Sequence, residues 1–99
     1  MKDFVYYNEL FEIYSALLTE NEKESFKEHY HEDLSLSEIA EEKNISRAAV
    51  HKTVNNVIDK LNYYESILKI HENNKTLKEC LELNDIKSIK EKISELLDK

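Results

Sequence analysis

Apolar residues recur at spacings of three and four along most of the chain, and the polar residues between them fall where helices start and stop. From Asp3 to Thr19, the series Phe4, Tyr7, Phe11, Tyr14 and Leu18, widened by Leu10 and Leu17, predicts a first amphipathic helix. Thr19 followed by Glu22 has the spacing of a capping box, in which each side chain satisfies a free backbone N–H at a helix start. A second helix is therefore expected from about Glu20 to His31. Its apolar positions are chiefly Phe26 and Tyr30, so it reads as a surface helix that exposes the charges between them. Ser35 and Glu38 repeat the capping-box spacing, and Leu36, Ile39 and Ala40 form the narrow apolar face of a brief third helix ending near Lys43. Asn44 stands where the chain must reverse. Ser46 then reads as the N-cap of a fourth helix. Val50, Val54, Val57, Leu61, Tyr64 and Leu68 continue at alternating spacings of four and three, a heptad-like seam roughly 30 Å long at 1.5 Å per residue. His71 to Asn74 interrupt this pattern, and Asn73 with Asn74 suits a helix end and restart. Beyond them Leu77, Cys80 and Leu81, Asn84 as a further cap, then Ile86, Ile89, Ile93, Leu96 and Leu97 predict one or two amphipathic helices. The expected organisation is a helix-turn-helix domain over residues 1–71 and an amphipathic helical tail over 72–99, packed on that domain or on a second subunit.

Composition narrows the picture. The chain has 99 residues and neither glycine nor proline. Tight hairpins and phosphate-cradling loops need those residues, so the fold class is all-α: a helical bundle carrying a helix-turn-helix. Without glycine, Asn44 is the residue best suited to a positive φ angle. A domain of this size buries little surface beyond its one core, which disfavours a deep catalytic cleft. No nucleophile, base and orienting group stand together in sequence, so no enzyme activity and no cofactor are expected. Cys80 has no partner for an intramolecular disulfide and reads as a small buried hydrophobe. The expected compartment is the cytoplasm, with no membrane span. Fourteen basic against 21 acidic residues give a net charge of −7, a field that repels nucleic acid as a whole and leaves binding to local patches.

The stretch Asp33 to Val54, DLSLSEIAEEKNISRAAVHKTV, concentrates the functional signal. A short capped helix, a turn of few residues and a second Ser-capped helix have the spacing of a helix-turn-helix. Ile39 and Ala40 should face the angle between the helices, Ile45 should plug the turn and Val50 should close the corner. The second helix of the motif would then present Arg47, Ala48, His51, Lys52 and Asn55 to a groove of nucleic acid, and these are the candidate nucleic-acid-binding residues. Arg47 is the only arginine in the chain.

The order YSALLTE, then HEDLSLSEIAEEKNISRAAV, then a long helix ending in YYESIL resembles the YlxM-type helix-turn-helix proteins, small bacterial proteins associated with the signal recognition particle. LSLSEIAEEKNISRAAV is also similar to region four of bacterial sigma factors, in which the second helix of the motif reads promoter DNA. The resemblance spans roughly Leu10 to His71. It implies an accessory or regulatory role in signal-recognition-particle-dependent targeting, with particle protein or RNA as partner. Family members tend to carry glycine near Ser37 and in the turn, glutamine near Ala48 and tyrosine near His51. The base-reading face is thus poorer here, since alanine offers a base edge only an apolar touch.

Other features weigh less. His29 and His31, with Glu28 and Glu32, suggest a metal site only until helical geometry is applied, because neighbours two apart diverge; no metal site is expected. Tyr6 and Tyr63 are the peripheral tyrosines suited to stacking on single-stranded RNA. The seam of the fourth helix and the apolar faces of the tail favour a homodimer. Three functional classes remain open at this point: an accessory protein of the signal recognition particle, a regulator that binds duplex DNA, and an acidic protein-interaction module.

Overall fold

In a computed structural model of the chain, which describes residues 3–98, the fold is all-α, with no strand among those residues. Six helices follow one another: α1 (Phe4–Tyr14), α2 (Glu20–Tyr30), α3 (Leu36–Lys43), α4 (Arg47–Leu68), α5 (Ile70–Leu81) and α6 (Ile86–Leu97). Most boundaries coincide with the local signals. Asp3 caps α1 by accepting from the amide of Tyr6. The Thr19–Glu22 and Ser35–Glu38 capping boxes are both formed in full, and Ser46 caps α4 through the amide of Ala49. Asn44 takes the left-handed conformation at φ 55° that ends α3.

The first helix is shorter than its apolar series predicts. It stops at Tyr14, and a 3-10 turn over Ser15–Leu17 delivers Leu18 in extended conformation to the Thr19 cap. Leu18 is thereby buried, whereas Leu17 is turned outward and half exposed. The break expected at His71 to Asn74 lies earlier. Lys69 takes φ 52°, and α5 runs unbroken through those residues. The cap expected at Asn84 falls on Asp85, whose carboxylate accepts from the amides of Lys87 and Ser88.

The core lies where α1, α2 and α3 pack on α4. Leu10, Phe26, Ile39, Val50, Val57 and Leu61 are wholly buried, each burial being worth about 1.5–3 kcal/mol before the entropy of ordering is charged against it. Phe11, Phe26 and Tyr30 form a near-parallel ring stack with centroid separations of 4.5 and 4.4 Å, which fastens α1 to α2. Contrary to expectation, α2 is no mere surface helix. Glu22, Ser25 and Glu28 are buried beside Phe26 and Tyr30, and Glu22 reaches Lys60 of α4 at 2.7 Å.

The last two helices pack chiefly on each other, with α5 also touching α1 and α4, and they draw the molecule out to 58 × 22 × 22 Å. Cys80 is buried in this region. No residue of α6 is fully buried, and Leu81, Ile86 and Leu97 are strongly exposed. No helix of the described residues is long and apolar enough to cross a membrane.

Candidate nucleic-acid interface

The helix-turn-helix is made by α3, the three-residue turn Asn44–Ser46 and the N-terminal half of α4. Its closure depends on small and branched side chains: Ala40 is 6% exposed, while Ile39 and Val50 are fully covered. The left-handed Asn44 allows its own amide and that of Ile45 to return to the carbonyl of Ala40, satisfying the end of α3. Ile45 does not plug the turn as predicted; it is 47% exposed. With the backbone closing the corner through Ala40 and Val50 filling it, Ile45 is left on the outside.

Arg47, Ala48, His51, Lys52 and Asn55 are all exposed. At about 100° per residue they occupy one sector of α4, turned away from the face carrying Val50, Val54, Val57 and Leu61. Arg47, His51 and Asn55 are one turn apart in succession, spanning about 12 Å of helix axis. Asn55 Nδ2 and His51 Nε2 lie 3.2 Å apart, so the amide and the ring form one polar unit. The Ser46 cap satisfies the amide of Ala49.

Electrostatics separates the cations of the motif into two kinds. Lys43 is engaged by Glu24 at 3.0 Å and faces Glu28 at 3.9 Å. Arg47 and Lys52 make no ion pair among the described residues, so both are available on the outward face of α4. Against them stand Glu38, Glu41 and Glu42, exposed on α3. The Ser35 amide and hydroxyl hold the Glu38 carboxyl below its usual range, so it remains a fixed negative charge of the cap.

The two histidines weighed as metal ligands have other neighbours. His29 Nδ1 lies 2.8 Å from the carbonyl of Leu34, and His31 sets its ring edge against Phe11 and Phe26. Tyr63 is exposed, as a stacking residue would be, while Tyr6 packs edge-on against Tyr7 and His71. Sequence reasoning missed the Lys60–Glu22 pair, and it missed Glu65, whose partners come from two other helices, α1 and α5. Neither shows in a local pattern, since each joins residues more than thirty positions apart or across a helix break.

The sequence model of one protein family, "Putative helix-turn-helix protein, YlxM / p13 like", matches residues 1–99. Among relatives, a UPF0122 protein of Fusobacterium nucleatum is 37% identical over 99% of this chain and 95% of its own length. One of Ureaplasma parvum is 45% identical over 82% of this chain and 83% of its own. A third, of Clostridium botulinum, is 37% identical over 95% of this chain and 85% of its own.

Proposed function

The chain belongs to the YlxM / p13-like helix-turn-helix family, and from that premise we propose that it binds nucleic acid through the outward face of α4, as an accessory or regulatory component of the signal-recognition-particle pathway. The observation that carries the binding reading is the separation of cations. Lys43 is held by α2, whereas Arg47 and Lys52 make no ion pair among the described residues. The pathway assignment comes from the resemblance of the YSALLTE, helix-turn-helix and YYESIL segments. Binding, not catalysis, is the role. Arg47 and Lys52 contact phosphates, Ala48 lets the helix start approach the backbone, and the His51–Asn55 unit meets a base edge or sugar.

Two cations are few. Operator-binding proteins neutralise roughly six to ten phosphates, so one copy on duplex DNA would bind weakly. We therefore take the functional unit to be a homodimer in which a second copy covers the apolar side of α5 and α6. In support, Leu77, Leu81, Ile86, Ile93 and Leu97 are all substantially exposed, and apolar side chains grouped in this way mark surfaces that a partner covers. Two copies also double the number of helix-turn-helix faces presented to one ligand.

The deciding experiment titrates labelled signal-recognition-particle RNA, the particle's GTPase and random duplex DNA with the pure protein at two salt concentrations. The accessory reading expects binding to the RNA or the GTPase that exceeds binding to duplex DNA. Binding to neither overturns it, and tight binding to duplex DNA alone would instead make the protein a transcriptional regulator.

A further inference from the structure

The outer side of α6 carries a seam that no other element covers among the described residues. Ile86, Lys90, Ile93 and Leu97 recur at spacings of four, three and four, which is the spacing of the core positions of a coiled coil. The half-buried residues Ile89, Lys92 and Leu96 mark the side turned to α5, where Lys92 Nζ meets Glu79 Oε2 at 3.3 Å. At about 100° per residue the seam stands roughly a quarter-turn round the helix from that side, and its three aliphatic members are all exposed. Beside it runs a shallow groove lined by α6 alone, through Ile86, Lys87, Lys90, Glu91, Ser94 and Glu95.

The charges along α6 indicate what fits the seam. Lys87 and Lys90 come first, and Glu91, Glu95 and Asp98 follow. None of these five side chains makes an ion pair among the described residues. Lys92, the base that departs from this order, is the one α5 engages. A helix is stabilised by acids in its first turn and bases in its last. Its cap Asp85 aside, α6 has neither. Lysine near its start and acid near its end therefore oppose its own dipole. The same order suits a neighbour running the opposite way, because the acidic, carbonyl-bearing end of one helix then lies beside the lysines of the other.

We propose that two copies of this chain pair through α6, antiparallel about a twofold axis, with Ile86 of each copy set beside Leu97 of the other. The proposal rests on the homodimer taken above as the functional unit and specifies which helix makes it, and in which direction. A twofold interface must be complementary to itself, and in this register α6 is. Lys87 of one copy comes to Glu95 and Asp98 of the other, and Lys90 comes to Glu91. Each such contact occurs twice. The stem of Lys90 lies along Ile93 of the second copy while its ammonium reaches the flank. A parallel pairing would set lysine against lysine and acid against acid, so the charges select direction and the aliphatic side chains supply the contact. The outward face of α4 takes no part in this pairing.

The test measures self-association of the full chain by sedimentation over a range of concentrations, in low salt and in about 0.5 M salt. Lys87→Glu combined with Lys90→Glu should weaken the dimer about tenfold in low salt, and Glu91→Lys combined with Glu95→Lys similarly, with both effects shrinking in high salt. An equimolar mixture of the two double variants should recover native affinity, since each then meets opposite charge. Lys87→Glu and Glu95→Lys bring charge into line with the helix dipole, so circular dichroism at concentrations where every chain is monomeric should show helix content equal to the native chain's or higher. That separates a lost interface from a lost fold. Dimers whose affinity neither double variant moves, or a mixture no tighter than its two components, overturn the antiparallel pairing and leave the homodimer standing. A native chain that stays monomeric at tens of micromolar removes both.

Discussion

Tyr14 donates a hydrogen bond of 2.7 Å from its hydroxyl to Glu65 Oε1 and accepts one from the amide of Ile70 at 3.3 Å. The same Glu65 carboxylate accepts from the amides of His71 and Glu72, at 3.0 Å each. Lys69, the residue before α5, offers no side-chain cap. The free amides at the start of α5 are therefore satisfied by α4 and α1 instead of by a local Ser, Thr or Asp. This arrangement ties the last two helices to the helix-turn-helix unit. It also pushes the Tyr14 hydroxyl up to about 12, first through burial and then through its bond to the carboxylate.

Removing that carboxylate should free the start of α5. Glu65→Ala is expected to cost about 1–2 kcal/mol of stability, and Tyr14→Phe a similar amount. Because both changes strip the same network, the double variant should cost clearly less than the sum of the two. Urea unfolding of the three variants measures this, and strict additivity would mean the two groups do not share the cap.

Stability should respond to acid in two opposed ways. Burial pushes Glu65 up, but bonds from Tyr14, His71 and Glu72 outweigh it and leave its pKa below the ordinary 4.5. Glu22 likewise ends below 4.5, because Lys60 and Thr19 overcome its burial. A carboxyl whose folded pKa is depressed stabilises the fold above its unfolded value and loses that contribution as pH falls through the folded one. Glu28 is raised and has the reverse sign: its penalty grows as pH rises above 4.5. Glu28→Gln should thus raise stability at neutral pH by about 0.5–1 kcal/mol, with the gain fading on acidification. Melting curves across the acid range check this, and a destabilised Glu28→Gln at neutral pH would contradict it.

Asn44 holds the corner of the motif at φ 55°. Asn44→Gly should be neutral or slightly stabilising, because glycine takes that conformation without steric cost. Asn44→Val should cost about 1–2 kcal/mol or more, since a β-branched residue resists a positive φ. Denaturant unfolding of the pair measures the difference. Equal stabilities would argue against it.

The exposed aliphatics of the last two helices predict self-association. The chain should sediment as a dimer at tens of micromolar. Leu81→Glu and Ile86→Glu, at positions 86% and 70% exposed, should give folded monomers. A native chain that is monomeric at that concentration removes the homodimer.

Much of the fold is legible along the chain because its boundaries are set by neighbours in sequence. Thr19 with Glu22, Ser35 with Glu38, Ser46, and Asn44 in a chain without glycine each specify a terminus through groups four or fewer positions away. Where tertiary contacts set the boundary, local reading goes astray. Nothing near Lys69 announces a left-handed residue, and the cap that makes it tolerable comes from Tyr14, fifty-six positions from the amide it serves. Ile45 looks like a core residue by type, yet the closed turn leaves its side chain on the outside. The exposure of Arg47, Ala48, His51, Lys52 and Asn55 was readable because helical periodicity places them off the buried seam. The burial of Glu28 was not, since it depends on how α2 and α3 pack together.

The claim on which the rest depends is that nucleic acid meets the outward face of α4 through Arg47 and Lys52. The slope of log affinity against log salt for a labelled duplex, and for signal-recognition-particle RNA, measures it most directly. Arg47→Ala and Lys52→Ala should each lower affinity uniformly across sequences and reduce the slope by about one, while both variants melt like the native chain. Slopes and affinities unchanged in both variants would place the contact elsewhere on the molecule.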